Sequence, residues 1–184
     1  MKNLPGTLAL RFRAGGYTGF MVSNRVELLR QTAKLARRGE TLPVRTVRVL
    51  VVEDNVFVRR GICSLLSGDS TLDVVCETAD GNEAIAKAQE LMPDVVLLDI
   101  RLHGISGIEA ARKIRRVSPE SRIIFLSQFD SIQIAREAMQ TGAHGYIVKS
   151  DAGQDLLRGI HAVRRGEPFV SQRLVAKGWG QRGP

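Results

Sequence analysis

No stretch of this sequence approaches the roughly 18 to 20 uninterrupted apolar residues that a membrane-spanning helix needs. The apolar residues around Leu8 and Leu10 run straight into Arg11 and Arg13. Neither a signal peptide nor a membrane segment is therefore expected. Cysteine is scarce: Cys63 and Cys76 are the two in 184 residues, with neither metal-ligand spacing nor a disulfide framework. Both fall within apolar patterns, so they read as reduced core thiols, which implies the cytoplasm. Among the few histidines, His144 and His161 have no second ligand at metal spacing and read as structural or solvated side chains. Internal repeats and low-complexity segments are lacking as well. Acidic residues are outnumbered, 19 against 27 basic ones, giving a formal net charge of +8. The excess is local: residues 1–46 hold nine Lys or Arg against Glu27 and Glu40, whereas residues 47–184 hold eighteen against seventeen acids. A near-neutral body argues against a broad phosphate-binding face on the main domain.

What the chain does have is enough apolar residue, 43%, to fill the core of one domain with a basic N-terminal extension over residues 1–46. Residues 1–22 carry Pro5, Gly6, Gly15, Gly16 and Gly19 with no sustained period and are expected to be disordered. Over residues 26–38, Val26, Leu29, Ala33 and Ala36 recur at helical spacing, Asn24 with Glu27 forms a capping box, and Gly39 ends the segment. Such a short basic amphipathic helix is open to three readings: a solvated extension, a partner or dimer helix, or an element for nucleic acid or a membrane surface.

From Val47 onward the pattern alternates. Short strands are expected over residues 47–52, 72–78, 94–99, 122–127 and 145–148. Between them lie helices over 55–67 (Val56, Val58, Ile62, Leu65 and Leu66 inward), 80–91 (Asp80 capping with Glu83), 106–117 (Ser106 capping with Glu109) and 131–140. A last helix over 151–165, capped by Asp151 with Gln154, ends at Gly166 and leaves 167–184 as a C-terminal tail. The strand Val95-Val96-Leu97-Leu98, between Pro93 and a Gly-rich loop, has the continuous apolar run of a strand buried on both faces. Five strands alternating with five helices predict an α/β, flavodoxin-like doubly wound parallel sheet in the order 2-1-3-4-5. The crevice where the winding reverses then lies between Asp54 and Asp99.

Those strands stop on chemistry. Glu53 and Asp54 follow the first, Asp99 ends the third, Ser127 the fourth, and Lys149 follows the fifth. At an effective dielectric near 20, each close carboxylate pair costs on the order of a few kcal/mol, so the three acids call for a cation. Hard oxygen ligands with room for water suit Mg²⁺. Lys149 adds a fixed positive charge and Ser127 a hydroxyl donor beside Asp99. The implied chemistry is attack of the Asp99 carboxylate on phosphorus to give an acyl phosphate.

On these residues, together with Gly107 eight positions after Asp99, residues 47–166 resemble the receiver domain of two-component response regulators. The segments Arg59-Arg60-Gly61 and Gly142-Ala143-His144-Gly145-Tyr146 resemble the subfamily that carries a helix-turn-helix (LuxR/NarL-type) output domain. The resemblance implies phosphorylation of Asp99 by a sensor histidine kinase. It implies Mg²⁺ held by Asp54, Asp99 and the backbone carbonyl of Arg101, with Glu53 acting through water. Ser127 and Lys149 would contact the phosphoryl group, and Tyr146 would be the aromatic switch. It also implies a binding module rather than an enzyme, whose only chemistry is self-phosphorylation and self-dephosphorylation. A phosphorylation-dependent homodimer through helix 131–140, the strand to Val148 and the helix to Arg165 is the associated pairing.

Three positions depart from the pattern: His103 replaces a usual Pro, Ser150 another Pro, and Gln128 a small residue. His103 is expected to loosen its loop, and Gln128 to slow phosphorylation or hydrolysis by its bulk. After Arg165 nineteen residues remain, too few for a helix-turn-helix module. The chain is expected to be a stand-alone receiver or a truncated transcription regulator, with a DNA-contacting basic arm as the alternative. A haloacid-dehalogenase-like phosphatase needs a second Asp two residues after the nucleophile, where Arg101 stands.

Overall fold

In a computed structural model, residues 8–14, 17–23 and 46–180 are described, and the chain divides into two compact units, Met1–Val44 and Arg45–Pro184. In the first unit, β1 (Leu8–Ala14) and β2 (Tyr17–Ser23) pair antiparallel, from Leu8 opposite Ser23 to Ala14 opposite Tyr17. At the described positions 8–14 and 17–22 this departs from the expectation of disorder. Leu8-Ala9-Leu10-Arg11-Phe12-Arg13 alternates with the period of a strand, and Phe20-Met21-Val22 has high strand propensity. Glycine density masked both. The helix expected over 26–38 lies outside the described residues.

The second unit runs β3 (Val47–Val52), α1 (Val56–Ser67), β4 (Leu72–Thr78), α2 (Gly81–Leu91), β5 (Val95–Asp99) and α3 (Gly107–Val117). It continues with β6 (Arg122–Ser127), α4 (Ile132–Met139), β7 (Gly145–Val148), a 3₁₀ turn (Lys149–Asp151), α5 (Ala152–Arg164), β8 (Phe169–Val170) and α6 (Gln172–Ala176). The parallel sheet has the order β4-β3-β5-β6-β7-β8, which is the expected five-strand order with a two-residue sixth strand added at its edge. That strand and α6 come from the tail beyond Gly166. Leu174 of α6 is fully buried in the same cluster as Tyr146, and the Ser171 hydroxyl accepts from Val148 N–H at 3.1 Å.

Both sheet faces are covered. Leu50, Val52, Val96, Leu98, Ile123 and Phe125 pack with Ala84, Ala88, Ala111 and Ile114 of α2 and α3. The alternate residues Val49, Val51, Leu97, Ile124, Leu126 and Ile147 pack with Ile62, Leu66, Leu156 and Ile160 of α1 and α5. Two buried faces are why these strands read as continuous apolar runs. On α1 the buried stripe is narrower than expected. Ile62 and Leu66, four residues apart, face inward, while Val56 and Leu65 are exposed.

Caps set where the helices begin. Asn55 Oδ1 accepts from the N–H groups of Phe57 and Val58, Asp80 Oδ1 from those of Asn82 and Glu83, and Ser106 Oγ from that of Glu109. The Asp80 box is relayed: Asp80 N–H donates to the Thr78 hydroxyl, which in turn donates to the Glu83 carboxylate. Asp151 makes no side-chain cap. The 3₁₀ turn turns its carboxylate outward to a two-bonded pair with Arg173 of α6, at 2.7 and 3.1 Å.

Candidate functional site

The sheet winds to one side through β4 and to the other through β5, so the carboxyl ends of β3 and β5 flank the point where the connections part. Register brings the acids together. Val52 pairs with Leu98, so Glu53 and Asp54 emerge beside Asp99. Val148 pairs with Ser127, which delivers Lys149 across β6 to the same edge. Ligand oxygens of Glu53, Asp54 and Asp99 all lie within 4.8 Å of one another.

Lys149 is the cation of this cluster. Its Nζ stands 2.6 Å from Glu53 Oε2 and 2.7 Å from Asp99 Oδ2, with Glu53 1% and Asp99 6% exposed in their side chains. It donates a hydrogen bond to Asp99. Glu53 Oε2 is buried against the same ammonium, its close ionic partner. Its other oxygen accepts from Asn55 N–H at 3.3 Å. Asp99 Oδ1 accepts from Arg101 N–H at 3.2 Å. Burial pushes the Glu53 carboxyl above its ordinary range; the bond and charge of Lys149 oppose that rise and the Asp99 charge adds to it. One ammonium for three acids leaves the cluster short of positive charge. Three carboxylate oxygens within 4.8 Å of one another, balanced by one ammonium, fit a hard divalent cation.

This shortage has a measurable consequence for Lys149→Met. Removing one partner from a buried ion pair leaves an uncompensated charge, so the variant should lose about 3 kcal/mol of unfolding free energy at neutral pH. The pH dependence follows from Glu53, whose folded-state pKa lies above its ordinary 4.5. The folded chain therefore holds that proton more tightly than the unfolded one. The resulting stabilisation is complete below about pH 4.5 and is lost as pH rises through the folded-state value. Because Lys149 opposes the rise, its removal extends that window upward. Urea unfolding at about pH 5 and pH 8 should show the deficit growing with pH; a pH-independent deficit would contradict the assignment.

Ser127 and Tyr146 form a second group behind Asp99, linked through Phe129. The Ser127 hydroxyl accepts from Phe129 N–H at 3.1 Å. The Tyr146 hydroxyl donates to the Phe129 carbonyl at 2.8 Å. The Tyr146 ring is fully buried. Burial raises its pKa, opposed by a hydrogen bond with Ser127. Phe129 had no signal in the sequence, because a residue in a loop after a strand carries no period. Arg101 lies over the Phe129 ring, 5.4 Å from its centroid, and donates to Gln128 Oε1 at 3.2 Å.

His103, expected to loosen its loop, has that loop tied by a bridge to Asp80 and its Nδ1 2.9 Å from Asp54 Oδ2. The other two histidines each have a partner within the fold. His144 Nδ1 accepts from Ile123 N–H, and His161 pairs with Asp69 at 2.7 Å. Cys63 and Cys76 are free and half-buried. Burial, with Glu77 nearby, raises the Cys63 thiol to about 11, so it is unreactive.

Comparison with known proteins agrees with this geometry. The family described as the response regulator receiver domain matches residues 49–161. The response regulator protein VraR of Staphylococcus aureus is 36% identical over 132 residues, covering 72% of this chain and 63% of VraR. The chain thus spans 63% of the length of the curated relatives it matches. A two-component response regulator of the LuxR family from Aurantimonas sp. superposes with a TM-score of 0.68 at 33% identity, over 72% of this chain and 97% of that one. The signal receiver domain of a NarL response regulator from Mycobacterium tuberculosis does so with a TM-score of 0.64 at 30% identity, over 67% and 99%.

Proposed function

Because the chain belongs to the response regulator receiver domain family, we propose that it is a phosphoacceptor switch in which Asp99 takes a phosphoryl group from a sensor histidine kinase. The observation that carries this reading is the convergence of Asp99, Glu53 and Lys149 within 2.7 Å contacts at one sheet edge. An Asp99 carboxylate oxygen attacks phosphorus. The bond from phosphorus to the donor nitrogen breaks, and the electron pair leaves with the donor imidazole. Lys149 Nζ, already bonded to Asp99, stays beside the phosphoryl oxygens and offsets their charge. Asp54, Asp99 and the Arg101 carbonyl would hold Mg²⁺, with Glu53 reaching it through water. The ion would supply charge neutralisation at those oxygens.

The switch follows from the Ser127 and Tyr146 group. Turning the Ser127 hydroxyl toward a phosphoryl oxygen takes the acceptor from Phe129 N–H. Phe129 also holds the Tyr146 hydroxyl, so loop and ring move together. A shift from 1:99 to 99:1 requires about 5.5 kcal/mol of differential stabilisation. The same reading includes a phosphorylation-dependent homodimer through α4, β7 and α5, a face where Asp130 and Asp151 are held by Lys177 and Arg173. It assigns the chain to the cytoplasm, where its two free thiols stay reduced.

Intact mass after incubation with acetyl phosphate and Mg²⁺ tests the reading. One added phosphoryl mass is expected, mapping to the peptide that holds Asp99 and absent when EDTA replaces the ion. An adduct that ignores EDTA, or maps elsewhere, would overturn it.

A further inference from the structure

Beside Asp54 stands an imidazole. His103 Nδ1 stands 2.9 Å from Asp54 Oδ2, and the His103 side chain is 88% exposed. The loop that carries it is anchored at both sides, by the bridge between His103 and Asp80 and by the left-handed turn at Gly104, φ 82°. The exposed imidazole thus stands at the acidic cluster, in contact with Asp54.

That spacing has a meaning in coordination chemistry. Two adjacent ligands at right angles, each about 2.1 Å from an octahedral ion, stand about 3 Å apart. The separation of His103 Nδ1 from Asp54 Oδ2 matches the edge of such an octahedron. The carboxylates of Glu53, Asp54 and Asp99 offer oxygens within 4.8 Å of one another in the same cluster, with Lys149 as the ammonium that faces two of them. A nitrogen donor changes which cation is preferred. Mg²⁺ favours oxygen and water ligands, whereas imidazole suits the divalent transition ions, whose affinities rise from Mn²⁺ through Co²⁺ to Ni²⁺.

We propose that His103 is an added nitrogen ligand that shifts this ion site from a purely magnesium-type site toward divalent transition ions. The inference rests on the reading of Asp54 and Asp99 as ion ligands. It makes the chain responsive to Co²⁺- or Ni²⁺-like ions at concentrations where an all-oxygen site would hold Mg²⁺.

Calorimetric titration of the full chain with MgCl₂ and with CoCl₂, for the wild type and His103→Ala, separates the alternatives. The exposed side chain leaves the fold intact when truncated. The substitution should weaken Co²⁺ at least tenfold and change Mg²⁺ less than twofold. In the wild type, Co²⁺ should also displace the ring proton signals of His103 by paramagnetic shift. Equal weakening of both ions would mean that His103 only orients Asp54, and no change in either would mean that it does not act on the site. Either result overturns the proposal while leaving the magnesium reading in place. Failure of both ions to bind the wild type would overturn the two together.

Discussion

Asp99→Asn should give no phosphoryl adduct at all with acetyl phosphate and Mg²⁺, while remaining folded. An amide oxygen is neutral and a poor nucleophile, so the bond to phosphorus does not form. The substitution is isosteric in a strand whose five residues are all buried, so packing is unchanged. Lys149 keeps its 2.6 Å contact with Glu53 Oε2. The Asp99 charge that helps to raise the Glu53 pKa is removed. Stability should therefore be held within about 1 kcal/mol. Intact mass measures the first part and thermal unfolding the second. An adduct persisting in the variant would place the acceptor elsewhere, Asp54 being the nearest candidate.

Gly107→Ala should be the most damaging added methyl among the described glycines, at more than about 4 kcal/mol. A Cβ there would stand 1.9 Å from the Asp99 carbonyl oxygen, 2.8 Å from its carbon and 2.9 Å from Ile100 Cα. All three are backbone atoms, so no side chain can swing aside. The N-terminus of α3 would have to withdraw from the end of β5, breaking the Gly107 N–H bond to the Ile100 carbonyl, 2.8 Å. Asp99 is part of the backbone that is displaced. Ion binding should fall with stability even where the variant stays folded. Urea unfolding and Mg²⁺ titration check both effects, and a cost under about 1 kcal/mol would mean that α3 does not seat on β5 in this way.

Much of this site was legible before any coordinates. Val95 to Leu98 announces a strand covered on both faces, and covered strands of this kind come from parallel sheets. Once the sheet order follows from alternation, strand ends share a level, and Glu53, Asp54, Asp99, Ser127 and Lys149 must meet there. That argument needs only local period and a winding rule. It equally found the caps at Asp80 and Ser106, because a cap is a relation between residues two or three apart.

What escaped it was of another kind. The hairpin of β1 and β2 was lost because glycines outweighed a short alternation. The outward turn of Val56 and Leu65 depends on how α1 rolls against β3 and β4. The seating of Leu174, the hold of Phe129 on both Ser127 and Tyr146, and the reach of His103 to Asp54 join residues up to 49 positions apart (Asp54 to His103) through loops and a tail without period. Between residues 47 and 165 the sequence by itself determined the main strands and helices, the order of five strands in the sheet and which side chains their ends deliver, since periodicity and propensity are written in neighbours. Only the tertiary structure decided how loops and tail close over those ends, since a side chain's direction off an aperiodic segment is set by the surfaces that it lands on.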